Sequence, residues 1–211
     1  MAIDDLLDEH EQSERVRSWL RNNGAGLIAG VVVGLALIFG WQWWQKRSHQ
    51  QNQQAYTRYE QATKAVGAGD LDKASADVTG MGADAGVYGT LAQLSLAKAQ
   101  VDGKKLDDAI STLRSVKPEP ALRSVVNQRL ARLLIETGKP EEAIKVLGDA
   151  TLSSDLEVRG DALLASGKPD EAKAAYQKAL ASLDVAAPER RLVEIKLTHV
   201  GGTPPEVAES I

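Results

Sequence analysis

The chain has 211 residues, a formal net charge of −4 and no cysteine. Disulfide frameworks, zinc–thiolate centres and thiol catalysis are therefore excluded. Its 25 Lys and Arg against 29 Asp and Glu leave no basic excess, so the electrostatic footprint of a nucleic-acid binder is missing.

Residues 1–23 read as a short charged tail, acidic at Asp4, Asp5, Asp8, Glu9, Glu11 and Glu14 and basic at Arg15, Arg17 and Arg21. Residues 24–44 follow with 21 positions free of charge, closing on Trp41-Gln42-Trp43-Trp44. At about 1.5 Å per residue a helix of that length crosses the roughly 30 Å of hydrocarbon in a bilayer. A cleaved signal would need small residues beyond the apolar run. Here tryptophans and then Lys46-Arg47 stand in that place, and tryptophan favours the headgroup level, so the segment reads as an uncleaved anchor. Gly26, Gly30 and Gly34, four apart, make a smooth stripe that is the candidate contact with another membrane helix. Arg15, Arg17 and Arg21 on one side face Lys46, Arg47, Arg58 and Lys64 on the other, and this count leaves the orientation open.

Residues 45–200 read as one helical domain. Beyond residue 44 the aromatic side chains are Tyr56, Tyr59, Tyr88 and Tyr176, and a core of Ala and Leu with few rings calls for closely packed helices. The Gln-rich stretch 45–54 contains no Gly or Pro, so helix is expected to continue through it. A glycine, a short charged turn and an alanine then recur. They appear as Gly69-Asp70-Leu71-Asp72-Lys73-Ala74, Gly103-Lys104-Lys105-Leu106-Asp107-Asp108-Ala109, Gly138-Lys139-Pro140-Glu141-Glu142-Ala143 and Gly167-Lys168-Pro169-Asp170-Glu171-Ala172.

The alanines lie 35, 34 and 29 residues apart, near the 34-residue period of tetratricopeptide repeats. Glycine supplies the left-handed residue that ends a helix, proline fits the first turn of the next, and acids meet its positive end. Twelve residues before each alanine stand Ala62, Ala97, Ala131 and Gly160, small enough for two helices to cross closely. The first repeat is degenerate, the second carries an extra residue in its turn, and the last is short. Ordinary helical hairpins are the plainer alternative. A last helix begins near Pro188, with Leu192, Ile195 and Val193 expected to face inward as a cap. Gly201-Gly202-Thr203-Pro204-Pro205 breaks the pattern, and 201–211 is expected to be an unstructured tail. The fold class is all-α: a single N-terminal transmembrane helix followed by a tetratricopeptide-like α-solenoid.

No catalytic constellation emerges. His10, His49 and His199 stand apart from any zinc or nucleophile motif, and pairs such as Glu141-Glu142 sit where helix starts explain them. The reading is non-enzymatic, with no cofactor and no metal. What remains is a binding surface. In tetratricopeptide folds the first helix of each pair lines the concave face, which places Leu91, Leu94, Lys98, Val101, Gln128, Arg132, Ile135, Glu157 and Asp161 in a candidate partner groove. Its mixed apolar and polar character suits a folded partner or an extended chain better than a carboxyl terminus.

The layout resembles a known family. Val16-Arg17-Ser18-Trp19-Leu20-Arg21-Asn22-Asn23-Gly24 leads into the Gly-rich anchor ending Gly40-Trp41-Gln42-Trp43-Trp44. Tyr88-Gly89-Thr90-Leu91-Ala92, Leu130-Ala131-Arg132 and Arg159-Gly160-Asp161-Ala162-Leu163-Leu164 follow in the domain. Together these resemble the YfgM family, ancillary subunits of the bacterial SecYEG translocon with a tetratricopeptide-like periplasmic domain. The resemblance implies a single-pass inner-membrane protein with residues 1–23 in the cytoplasm and 45–200 in the periplasm. The partners it implies are the Sec translocon, a PpiD-type membrane-anchored periplasmic chaperone and translocating polypeptides. The function it implies is an adaptor that helps pass envelope proteins to periplasmic chaperones. The alternative is a structural tether that organises a membrane complex without handling secretory clients.

Overall fold

The computed structural model describes residues 2–82 and 85–205. Among them are nine helices and no strand: α1 (Ala2–Gly67), α2 (Leu71–Gly80), α3 (Gly86–Asp102), α4 (Leu106–Ser115), α5 (Pro120–Glu136), α6 (Pro140–Leu147), α7 (Ser153–Ala165), α8 (Pro169–Ser182) and α9 (Arg190–His199). Two compact units divide between them Met1–Gln53 and Gln54–Ile211, so the division falls within α1. Residues 45–54 are helical, as the absence of a breaker leads one to expect.

The first unit carries a helix long and apolar enough to cross a membrane, with a mean hydropathy of 2.1 over its most apolar window. Its large apolar side chains, Leu37 and Phe39 among them, are exposed. A Cβ added at Gly26, Gly30 or Gly34 would meet nothing within 4 Å, so the stripe lies open. Trp41 and Trp44 meet tilted at 43° with ring centroids 5.4 Å apart, and the Arg47 guanidinium sits 5.5 Å from the Trp43 ring centre. That contact joins a cation to the electron-rich face of the indole.

The second unit is a row of helical hairpins. Residues 54–67 of α1 pair with α2, α3 with α4, α5 with α6 and α7 with α8, and α9 packs on α8. Each hairpin crosses at the expected small residues. Ala62, Ala74, Ala97, Ala109, Ala131, Ala143 and Ala172 are buried apolar residues of the core. Gly160 is small for a more specific reason: a Cβ there would collide with the ring of Tyr176, which occupies the space. Buried side chains gather in three separate clusters strung along the chain, one over α1–α3, one over α3–α7 and one over α7–α9. This is the quasi-one-dimensional packing of a solenoid, where each hairpin is held by its neighbours.

The turns repeat one hydrogen-bond pattern. After α1 the N–H groups of Gly69 and Asp70 donate to the carbonyls of Val66 and Ala65. The same pair recurs at Gly138 and Lys139, at Gly167 and Lys168, and at Gly201 and Gly202. Such a closure satisfies two orphan carbonyls and needs a left-handed residue, supplied here by glycines with φ of 74–76°.

The second turn corrects the sequence reading. Its left-handed residue is Lys104, φ 59°, with the N–H groups of Lys104 and Lys105 bonded to Val101 and Gln100. Gly103 has an ordinary φ of −82°. Measured from Lys104, the alanine lies five residues on and the small residue seven back, as in every other hairpin. The second repeat therefore carries no extra residue in its turn; its glycine stands one position too early. The helix starts follow expectation. Pro140 and Pro169 open α6 and α8, Asp70 caps α2 by accepting the Lys73 N–H at 3.0 Å, and Asp107, Asp108, Glu141, Glu142, Asp170 and Glu171 occupy first turns.

A second correction concerns the cap. Leu192 and Ile195 point outward, about half exposed (50% and 53%), while Val193 and Leu197 are buried at 2% and 0%. The helix begins at Arg190, two residues beyond Pro188, and is rotated by one residue, about 100°. Seven residues before Gly201, where every hairpin has a small residue, α9 has Glu194, bonded to Arg190 at 3.0 Å. No second helix crosses there, so no small residue is required. Of the expected unstructured tail 201–211, residues 206–211 lie outside the described residues, and Gly201 and Gly202 belong to the closing turn of α9.

Candidate partner-binding surface

The first helices of successive hairpins, α3, α5 and α7, carry all nine groove residues inferred from the sequence. The structure sorts these into two chemically different places. Between α3 and α5 an open cleft of about 310 Å³ is lined by Leu94, Ala97, Lys98, Val101, Leu113, Arg129, Arg132 and Leu133. Leu94, Ala97, Leu133 and Leu113 (from α4) make a buried apolar floor, and Lys98, Arg129 and Arg132 stand exposed around it. Four of the nine expected residues, Leu94, Lys98, Val101 and Arg132, line this cleft.

Between α5 and α7 the surface is bridged by polar bonds instead. Gln128 donates to Asp155 Oδ1 at 2.7 Å, to Ser154 Oγ at 2.9 Å and to Ser124 Oγ at 2.8 Å. Ser124 in turn donates to Asp155 Oδ1 at 2.6 Å. One helical turn further, Arg132 Nη2 lies 3.3 Å from Glu157 Oε2. Lys196 of α9 completes the cluster, bonding Glu157 Oε1 and lying 2.6 Å from Asp161 Oδ2. The Tyr176 hydroxyl donates to Asp161 Oδ1 at 2.8 Å. Burial first, then this hydrogen bond and the charges of Asp161 and Glu157, hold the Tyr176 proton well above the ordinary phenol range. Glu157 is buried and tied to two cations, an arrangement that stabilises its charge only because partners are in place.

Gln128, Arg132, Glu157 and Asp161 thus join helices of the protein to one another. Leu91 is half-buried on α3, and Ile135 packs against the central apolar cluster, neither of them lining the cleft. Sequence reasoning missed Arg129 and Lys196. The signal for Lys196 was a pair of acids four apart on α7 awaiting a cation, but it could be read only with α9 in its true rotation. Arg129 could have been found three residues before Arg132, on the same side of α5. Among the described residues no group of three or more His, Cys, Asp or Glu side chains could hold a metal ion. Chemically the face can bind: an apolar slot with cations at its rim, beside a polar surface already satisfied.

The family described as tetratricopeptide repeat-like domain matches residues 17–202. Over 200 residues the chain is 28% identical to the ancillary SecYEG translocon subunit of Escherichia coli K12, covering 92% of this chain and 97% of that protein. It is 26% identical to the subunit of the same name from Aggregatibacter actinomycetemcomitans and 22% identical to that from Haemophilus influenzae, covering 92% of this chain and 98% of each relative.

Proposed function

We propose, on the premise that this chain belongs to the tetratricopeptide repeat-like domain family, that it is a non-enzymatic adaptor of the inner membrane associated with the Sec translocon. The observation that carries the reading is the end-to-end similarity to proteins named ancillary SecYEG translocon subunit, which leaves little of either chain unmatched. An apolar helix suited to a membrane and a solenoid with an open cleft fit that role. In this reading residues 1–23 are cytoplasmic, 24–44 span the membrane and 45–200 stand in the periplasm. The domain then receives emerging envelope proteins and helps pass them to periplasmic chaperones, a PpiD-type membrane-anchored chaperone among them. The open stripe of Gly26, Gly30 and Gly34 offers a place for close approach of a translocon helix.

Photo-crosslinking in living cells tests this. A crosslinker at positions 26, 30 and 34 is expected to capture SecYEG, and one at Val101 to capture secretory chains during export. Capture of SecYEG with no secretory chain at any domain position would favour a structural tether. Capture of neither would overturn the proposal.

A further inference from the structure

We propose that the α3–α5 cleft seats a large apolar side chain from an extended polypeptide segment whose flanking residues are acidic. The proposal rests on the adaptor reading in one respect only, that the ligand is an unfolded chain. Three observations carry it. The cleft is apolar at depth, where Leu94, Ala97, Leu113 and Leu133 form a floor almost without solvent exposure. Its volume, about 310 Å³, lies at the lower end of small-ligand pockets, enough for one or two side chains.

The rim supplies the second observation. Three cations border the cleft and no carboxylate lines it. Counted with their partners, Lys98 is balanced by Asp102 at 2.8 Å, and Arg132 and Lys196 by Glu157 and Asp161. Arg129 is left without an acidic partner among the described residues, so a net positive charge stays over the slot. The Lys98–Asp102 pair is exposed on both sides, and such pairs are weak enough to be exchanged for a carboxylate of a ligand. A bidentate guanidinium–carboxylate bond at Arg129 would fix the segment's register. Third, the neighbouring gap between α5 and α7 is closed by the Gln128 and Arg132 bridges, so the apolar anchor has no seat there.

The test is fluorescence anisotropy with the full chain in nanodiscs and labelled eight-residue peptides. One peptide has a central Leu-Phe pair flanked by glutamates; a second replaces the glutamates by lysines; a third replaces Leu-Phe by Ser-Ser. The first is expected to bind about tenfold or more tighter than either of the others. Arg129→Glu should weaken the first peptide by about tenfold, and Arg123→Glu, the same charge change at an exposed α5 position off the cleft, should leave it within about twofold. Circular dichroism of each variant checks folding. Equal binding of the glutamate and lysine peptides, or wild-type binding by folded Arg129→Glu, would overturn the proposal. Translocon capture by the membrane helix is read separately. Lost peptide selectivity with capture intact sinks this inference alone, and lost capture with selectivity intact sinks the adaptor reading alone.

Discussion

At the scale of single residues, the left-handed turn positions show how strictly backbone geometry selects side chains. Lys104 holds a φ of 59°, which for a residue with a Cβ costs roughly 1–2 kcal/mol. Glycine would remove that strain but gives back roughly 0.5–1 kcal/mol through its extra freedom when unfolded. Lys104→Gly is therefore expected to stabilise the domain by up to about 1 kcal/mol, read as a higher denaturant midpoint. A lower midpoint would show that the position is not left-handed. Tyr176 makes a different prediction. Its phenol is held protonated in the folded protein well above the value of about 10 it takes when unfolded. The folded state therefore keeps a proton that the unfolded state releases, so this stabilisation is complete below about pH 10 and is lost as pH rises beyond it. Thermal melts should show a steeper loss of stability above about pH 10 in wild type than in Tyr176→Phe. At neutral pH the variant should already be less stable by on the order of 1.5 kcal/mol, having lost a bond to a carboxylate.

At the scale of helices, the hairpin is the unit whose register decides everything else. Ala143 on α6 and Ala131 on α5 belong to the same buried cluster, and neither has any solvent exposure. Ala143→Leu should cost about 1–3 kcal/mol by overpacking, and limited proteolysis should open α5–α6 and its neighbours first. Glu142→Ala, one residue earlier, breaks only the half-exposed pair with Arg114 and should cost under about 1 kcal/mol. A wild-type melting temperature for Ala143→Leu would contradict the crossing. Helix boundaries and crossings were legible in the sequence because Pro, Gly and Ala act through local backbone and steric rules. The rotation of α9 was not. It follows from which face of α8 is left open, and Leu192, Val193, Ile195 and Leu197 are all apolar, so periodicity gave two acceptable answers. The groove was half legible for the same reason. Sequence placed the right residues on the right helices, but whether Glu157 faces solvent or Lys196 depends on a helix nearly forty residues away.

At the scale of the whole molecule, the separation of 12 residues between small residue and alanine never varies: Ala62 to Ala74, Ala97 to Ala109, Ala131 to Ala143 and Gly160 to Ala172. The stretch from that alanine to the next small residue does vary, running 23, 22 and 17 residues. The irregularity is carried partly by α6, reduced to Pro140–Leu147, and mostly by the start of α7, which begins seven residues before Gly160 where α3 and α5 begin eleven before Ala97 and Ala131. A residue added inside the first interval would turn one helix by about 100° against its partner and bury the wrong face. One added in the loop between hairpins only lengthens a surface connection, whose entropy grows slowly with length. The architecture thus confines tolerance to one kind of place: the chain can lengthen or shorten between crossings while the spacing within each crossing stays fixed.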